Sequence, residues 1–165
     1  MTIEKTKAAD VVSSGLTCNT KAGETAQAAG KYHVECRDKD GNLKWEADSK
    51  NLVVTAGLQY MAGTSLDGVT TRVTTWYLGL ITGPGSGTTI IAANTMSSHA
   101  GWTEYVNYSN ANRVTATFAV ATTATPSVVT NTASPAVFNI NGAGGVVAGA
   151  ILTSANDKSG VTGTL

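Results

Sequence analysis

Cysteine, proline and charge are all scarce in this sequence. The 165 residues include two cysteines, three prolines and 22 charged side chains, of which 11 are basic and 11 acidic. Two cysteines fall far short of the density of a disulfide-stapled secreted domain, so Cys18 and Cys36 are expected to be free thiols. Because the formal net charge is zero, no basic excess indicates a nucleic-acid partner.

Long apolar runs are also missing. No stretch approaches the roughly 20 consecutive apolar residues of a membrane-spanning helix. The opening segment, MTIEKTKAADVV, has no apolar core of the kind found in secretory leaders. We therefore expect a chain that is made in a cytosol and has no membrane partner. Its length fits one domain with its own hydrophobic core.

Charged residues are concentrated in one part of the chain. Sixteen of the 22 lie within residues 1–50. Residues 73–165 contain only four, namely Glu104, Arg113, Asp157 and Lys158. The surface of this second part must consist largely of uncharged polar residues, and Thr alone occurs 26 times in the chain. Threonine suits a half-exposed strand, and a weakly charged surface reduces repulsion between neighbouring copies in an assembly.

The N-terminal part divides into an arm and a hairpin. Residues 1–29 are polar and rich in Ala, Gly and Thr without apolar periodicity, which indicates an extended arm that becomes ordered on a partner. Residues 31–37 and 43–47 alternate between apolar and polar side chains, and the DKDGN segment between them has turn chemistry. Residues 31–47 are therefore expected to form a β-hairpin.

One short helix is expected over residues 49–62, where a partial apolar stripe ends at Gly63. Further strands are expected at residues 73–81, 102–108, 113–120, 136–140 and 146–153. Strands spaced by about 8–12 residues without alternating helices are typical of a sandwich, jelly-roll or barrel. The sequence thus predicts an all-β fold, an antiparallel β-sandwich or jelly-roll over residues 30–165, with one short helix and an extended N-terminal arm.

Two motifs resemble metal sites but lack the necessary spacing. Residues 38–42 (DKDGN) open like a calcium-binding loop, yet their glycine stands at position 4 instead of 6 and the bidentate Glu at position 12 is missing. A hairpin turn explains these residues better. His33 and Cys36, with Cys18 and His99 elsewhere in the chain, could supply four zinc ligands. However, residues 33 and 36 lie three apart in a predicted strand, which sends their side chains to opposite faces and disfavours a shared zinc ion.

Catalytic and phosphate-binding motifs are missing as well. Residues 83–87 (GPGSG) are not followed by the lysine of a P-loop, and residues 142–145 (GAGG) suggest a tight turn or a close backbone approach. Residues 97–99 (SSH) lack the elbow motif of a hydrolase, and nothing marks Glu104 and Asp157 as a glycosidase pair. The sequence predicts no enzyme, no cofactor, and no catalytic, cofactor-binding or metal-ligating residue.

The aromatic residues allow two interpretations. The set in question is Trp76, Tyr77, Trp102, Tyr105 and Tyr108. These side chains could form a platform on which sugars stack. Since Trp102, Tyr105 and Tyr108 do not share one strand face, positions in the core and at its rim are favoured.

Several segments of the second part are distinctive, although they suggest no chemistry. They are residues 74–81 (TTWYLGLI), 93–105 (ANTMSSHAGWTEY), 108–113 (YSNANR), 151–154 (ILTS) and 158–165 (KSGVTGTL). In this order they resemble small structural proteins of tailed bacteriophages that are described as head decoration or cement proteins. The resemblance extends over about residues 50–165.

This resemblance implies a β-sandwich or jelly-roll bound in many copies to the capsid exterior of a virion, after synthesis in the host bacterial cytoplasm. Its partners would be the major capsid protein and further copies of the chain, in a homotrimer or homodimer, with no nucleic acid and no membrane. The implied function is to stabilise the phage head. The alternative is a tail or fibre component that binds a host surface glycan through the aromatic residues.

Overall fold

The computed structural model describes residues 4–18, 24–83, 88–124, 126–141 and 144–165, with side chains described from residue 28 onward. These residues form the strands β1 (Glu4–Cys18), β2 (Glu24–Arg37), β3 (Leu43–Lys50), β4 (Trp76–Thr82), β5 (Thr103–Tyr105), β6 (Val114–Ala116), β7 (Ser127–Thr130), β8 (Ala136–Ile140) and β9 (Gly149–Thr153). Helix α1 (Thr55–Ala62) and a π-helical turn (Gly63–Asp67) lie between β3 and β4. The predominance of strands and the short helix confirm a mainly-β fold.

The first sheet is built around β1. On one side β1 pairs with β2, which pairs in turn with β3, so that β3 lies at the edge of the described strands. On its other side β1 pairs with two strands in succession, β8 along residues 4–8 and β7 along residues 11–14. All these pairs are antiparallel.

Residues 4–18 and 24–29, predicted as part of an extended arm, are paired strands in the structure. Strand β1 pairs with β2 at 14 successive positions. A ladder of backbone hydrogen bonds requires no alternation of large apolar side chains, which is why this segment shows no strand pattern in the sequence. The rest of the predicted arm, residues 1–3 and 19–23, lies outside the described residues.

The second sheet is built around β4. Strand β9 pairs with β4 along residues 77–81. On the other side of β4, β6 pairs with residues 76–78 and β5 with residues 80–82. Leu78, Leu80 and Ile81 of β4 are almost completely buried, as expected for a strand with neighbours on both sides.

Side chains of both sheets pack into one apolar cluster. The first sheet contributes Tyr32, Ala136, Phe138 and Ile140, and the second contributes Leu78, Leu80, Tyr105 and Ala116. Tyr108, from the segment after β5, completes this cluster and packs edge-on against Phe138 with ring centroids 5.0 Å apart. A smaller cluster contains Ile81, Met96, Trp102 and Ile151. Strand β4 contributes residues to both clusters and therefore connects the two clusters.

The helix predicted over residues 49–62 differs from the observed one. Residues 49–50 continue β3 because they pair with β2, and this pairing prevails over a weak helical stripe. Helix α1 begins only at Thr55. The predicted end is confirmed for the α-helix, which ends at Ala62 with Gly63 as its C-cap. A π-helical turn then follows, and Gly68 with a φ of 66° ends it.

The hairpin expected over residues 31–47 coincides with the second half of β2, the turn and most of β3. The other predicted strands overlap β4, β5, β6, β8 and β9, and the prediction of β8 over residues 136–140 has the observed bounds. Strand β7 is missed. Its four residues are too few to show a periodic pattern.

Candidate protein-binding surface

Strand β3 exposes apolar side chains at the edge of the first sheet. Trp45 and Ala47 lie opposite Cys36 and Val34 of β2, on the sheet face that packs against the core. All residues of β3 are nevertheless exposed, and Leu43 and Trp45 keep 47% and 45% of their surface accessible. The core therefore ends before this edge and leaves an apolar face of β3 open.

An apolar groove with a volume of about 350 Å³ lies beside this edge. Strands β2, β3 and β9 and helix α1 all contribute to its walls. Its larger apolar side chains include Val34, Trp45, Met61, Trp76 and Leu152. The two sheets and the helix thus enclose a space that the core side chains do not fill.

Helix α1 is attached to the sheet region by a few specific contacts. The backbone N–H of Thr55 donates to the carbonyl of Ala92 at 2.8 Å. The hydroxyl of Tyr60 accepts a hydrogen bond from the backbone N–H of Val73 at 2.5 Å. The Tyr60 ring packs edge-on against Trp76, with 5.5 Å between ring centroids. One side chain therefore anchors the helix beside β4.

Large apolar side chains are exposed along residues 52–69, which include helix α1 and the π-helical turn, and helix α1 itself has no buried residue. We call the following set the helical surface: Leu52, Leu58, Met61, Leu66 and Val69. Leu66 and Val69 are exposed over 86% and 85% of their surface. Large apolar side chains exposed together in one segment make it a candidate surface for binding another protein.

The calcium-like segment is a turn, as expected. One carboxylate oxygen of Asp38 accepts hydrogen bonds from the backbone N–H groups of Asp40 and Asn42, both at 2.9 Å. These bonds hold the pKa of Asp38 below its usual value, with the side-chain bond from Asn42 as the largest cause. Gly41 has a φ of 88°, the left-handed conformation that the turn requires.

His33 and Cys36 lie on opposite faces of β2, as expected. Cys36 is buried, whereas His33 lies on the outer face with Nδ1 2.9 Å from Oδ1 of Asp48. The hydrogen bond to Asp48 raises the pKa of His33. On the same face, the guanidinium of Arg37 lowers the pKa of Glu35. The second cysteine, Cys18, has no described side chain.

Among the described residues, the contacts of His99 are with Trp102 and not with a serine. Its ring stacks on Trp102 with centroids 3.8 Å apart, and its Nδ1 lies 2.9 Å from the carbonyl oxygen of Trp102. The hydroxyl of Ser97 lies 3.2 Å from that of Thr95 instead. The SSH segment therefore forms a local turn structure, in which the serine–histidine contact of a hydrolase is not made.

Glu104 is held in a buried ion pair. Arg113 donates Nε and one terminal nitrogen to its two carboxylate oxygens at 2.9 and 2.8 Å, and both side chains are almost fully buried. Arg113 also donates to the carbonyls of Ala155 and Gly160. The backbone N–H of Ser159 donates to Glu104 as well. Both oxygens of Glu104 thus stabilise the C-terminal segment.

The aromatic residues occupy the core and its rim. Trp102, Tyr105 and Tyr108 are buried, while Trp76 and Tyr77 are half-buried. The indole N–H of Trp102 donates to Asn94, and the hydroxyl of Tyr105 donates to the carbonyl of Gly144 at 2.9 Å. The interpretation as core and rim side chains is confirmed for the three buried residues.

The two glycine-rich segments lie partly outside the described residues, which exclude 84–87 and 142–143. Gly145 is described and has a φ of 141°. A Cβ at this position would come within 2.6 Å of the Tyr105 ring. The predicted close backbone approach is therefore present at this glycine.

Sequence reasoning missed the residues of the helical surface and the exposed position of Trp45. Their apolar character suggested burial, and only the folded structure shows that they stay accessible. A signal was available for Trp45, because the other side chains of β3 are mostly polar or charged. A strand so charged on one face is typical of a sheet edge.

Comparisons with protein-family models, with curated proteins and with solved structures give no match to this chain. No helix in the described ranges combines the length and hydropathy of a membrane-spanning segment.

Proposed function

We propose that this chain is a non-enzymatic structural protein of a tailed-bacteriophage virion, and that it binds the major capsid protein on the capsid exterior and stabilises the head. The observation that carries the proposal is the helical surface, which leaves Leu58, Leu66 and Val69 exposed. Burial of such side chains against a partner contributes roughly 25 cal/mol for each Å² of apolar area removed from water.

The distribution of charge supports an assembled protein. Of the few charges in the second part of the chain, Glu104 and Arg113 neutralise each other inside the protein. Lys158 donates to the carbonyl of Tyr108 and lies 3.9 Å from the centre of its ring. The surface formed by this part is therefore even less charged than its composition suggests, which favours close packing of many copies.

The proposal extends to the arrangement of the two sheets and to the oligomeric state. The two antiparallel sheets are layers of a β-sandwich or jelly-roll, which their shared apolar cluster supports. The resemblance of residues 50–165 to head decoration proteins supports the capsid as the partner and a homotrimer or homodimer as the oligomer. The absence of catalysis is supported by the structural contacts that occupy Glu104 and His99.

Co-sedimentation with capsids or with host cells distinguishes this function from the alternative, a tail or fibre component that binds a host glycan. Labelled chain is mixed either with purified capsids that lack it or with host cells. We expect saturable co-sedimentation with capsids, and capsids that survive heating and low salt better when the chain is bound. Binding to cells alone, abolished by excess surface glycan, would contradict the proposal and favour the fibre component.

A further inference from the structure

The outer face of the β2–β3 hairpin brings three possible metal ligands together. His33 and Glu35 are two residues apart in β2, so their side chains share one face. The strand register places Glu46 of β3 directly opposite Glu35. One nitrogen of His33 and one oxygen from each carboxylate lie within 4.8 Å of one another.

The spacing of these atoms fits a small cation. Nε2 of His33 and Oε1 of Glu35 are 3.5 Å apart. Two ligands of a tetrahedral zinc ion, each about 2.0–2.1 Å from the metal, are separated by roughly 3.3 Å. His33 and Glu35 therefore already have the spacing of two zinc ligands. Glu46 lies exposed on an edge strand, where its side chain has room to complete the set.

The other polar atoms of the two β2 ligands are held by neighbouring side chains. Nδ1 of His33 lies 2.9 Å from Asp48, which leaves Nε2, 3.5 Å from Oε1 of Glu35, to bind an ion. Arg37 occupies Oε2 of Glu35 at 2.8 Å and leaves Oε1 for an ion. Metal-binding histidines and carboxylates are commonly oriented by such outer contacts.

The opposed glutamates supply a further physical reason for a cation. Like charges directly opposite each other on neighbouring strands are destabilising. Arg37 offsets part of this repulsion at Glu35. Lys7 of β1 also lies opposite Glu35 in the strand register. A divalent cation between Glu35 and Glu46 would reduce the repulsion between them further and would join the edge strand β3 to β2.

We propose that His33, Glu35 and Glu46 bind a divalent transition-metal ion of the zinc type. The mixture of one imidazole and two carboxylates favours such an ion over calcium or magnesium, which prefer oxygen ligands alone. Three protein ligands leave one tetrahedral position for water. The proposal is independent of capsid binding.

Calorimetric titration with zinc chloride tests this site. The chain is used without a histidine tag and with Cys18→Ser, so that this thiol cannot bind the ion. We expect one ion per chain, and saturable binding that is lost in His33→Gln and in Glu46→Gln. Asp48→Ala, which removes the orienting contact and none of the three ligands, should weaken binding by about 10–100-fold. Asp40→Asn, an exposed acid in the adjacent turn, should leave binding unchanged.

Hydrogen exchange supplies a second measurement that does not depend on calorimetric heats. Zinc should slow the exchange of β3 amides and leave those of β4 unchanged, because the ion joins β3 to β2. The proposal is overturned by the absence of saturable zinc binding up to millimolar concentration, or by equal affinity in His33→Gln. Tighter binding of calcium than of zinc would overturn the proposal that the site prefers an ion of the zinc type.

Discussion

The side chain of Arg113 connects segments that lie far apart in the chain. It pairs with Glu104 of β5 and donates to the carbonyls of Ala155 and Gly160. Removing one partner of a buried ion pair leaves an uncompensated charge, which typically costs about 3–5 kcal/mol. We therefore expect Arg113→Met to lower the free energy of unfolding by about that amount in urea denaturation.

The exposed ion pair of Lys39 with Asp40 provides a control for this prediction. Exposed pairs contribute between about 0 and 1 kcal/mol, so Lys39→Met should change stability little. An Arg113→Met chain as stable as the Lys39→Met chain would contradict the structural role of the buried pair.

Tyr108 carries a buried hydroxyl that has no hydrogen-bond partner among the described residues. Burial is the main cause that raises the pKa of this phenol above its usual value. An unsatisfied buried polar group costs about 1–3 kcal/mol, so Tyr108→Phe is expected to raise the free energy of unfolding by on the order of 1 kcal/mol.

Tyr105 offers the matched control, since its hydroxyl donates to the carbonyl of Gly144. Tyr105→Phe should lower stability by about 1 kcal/mol, because it removes a hydrogen bond that is made. The two substitutions delete the same atom, and thermal or urea unfolding should therefore give opposite signs. A loss of stability in Tyr108→Phe would show that its hydroxyl has a partner.

At the scale of elements, the β2–β3 turn depends on one carboxylate. The pKa of Asp38 lies below its ordinary value of 3.8, so its contribution to stability is present above pH 3.8 and is lost as pH falls through the folded pKa. Above pH 3.8, the backbone amide proton of Asn42 should exchange with solvent faster in the Asp38→Ala variant than in the unmodified chain. As pH falls through the folded pKa of Asp38, the two proteins should become equally protected at the Asn42 amide. A constant difference from pH 6 to pH 2 would contradict this role.

The sequence pattern located those elements that have one buried face. Alternation in β2 and the apolar run of β4 were sufficient, because side chains of both strands lie against the core. The alternation of β3 follows from its register with β2. Strand β1 could not be located in this way, since its pairing with β2, β7 and β8 depends on backbone hydrogen bonds. The predicted start of α1 at residue 49 was too early, because residues 49–50 pair with β2 and this partner is apparent only in the folded chain.

The strand structure of residues 4–18 also changes the expected role of the N-terminal part. An arm could be removed without harm to the remaining domain. Strand β1, however, joins β2 to β7 and β8, so deletion of residues 1–29 should unfold the first sheet. Circular dichroism of the truncated chain should show a loss of β structure, whereas a retained spectrum and cooperative unfolding would restore the arm hypothesis.

At the scale of the whole molecule, the candidate surface could be predicted only in part. The scarcity of charge after residue 73 indicated a weakly charged exterior, and the buried pair of Glu104 and Arg113 reduces its charge further. The location of the apolar surface could not be predicted. Leu58 and Leu66 have the composition of core residues, and their exposure results from how few contacts attach α1 to the sheets.

The central claim is that the helical surface is the part of the chain that binds the capsid. Its most direct test is the affinity of Leu58→Ser/Leu66→Ser for capsids that lack the chain, with Val120→Ser as the control at an exposed apolar position outside this surface. We predict that the double variant binds at least about tenfold more weakly, since loss of one well-packed interface side chain costs more than about 1 kcal/mol. Val120→Ser should bind as the unmodified chain does. Equal affinity of the double variant and the unmodified chain would contradict the claim.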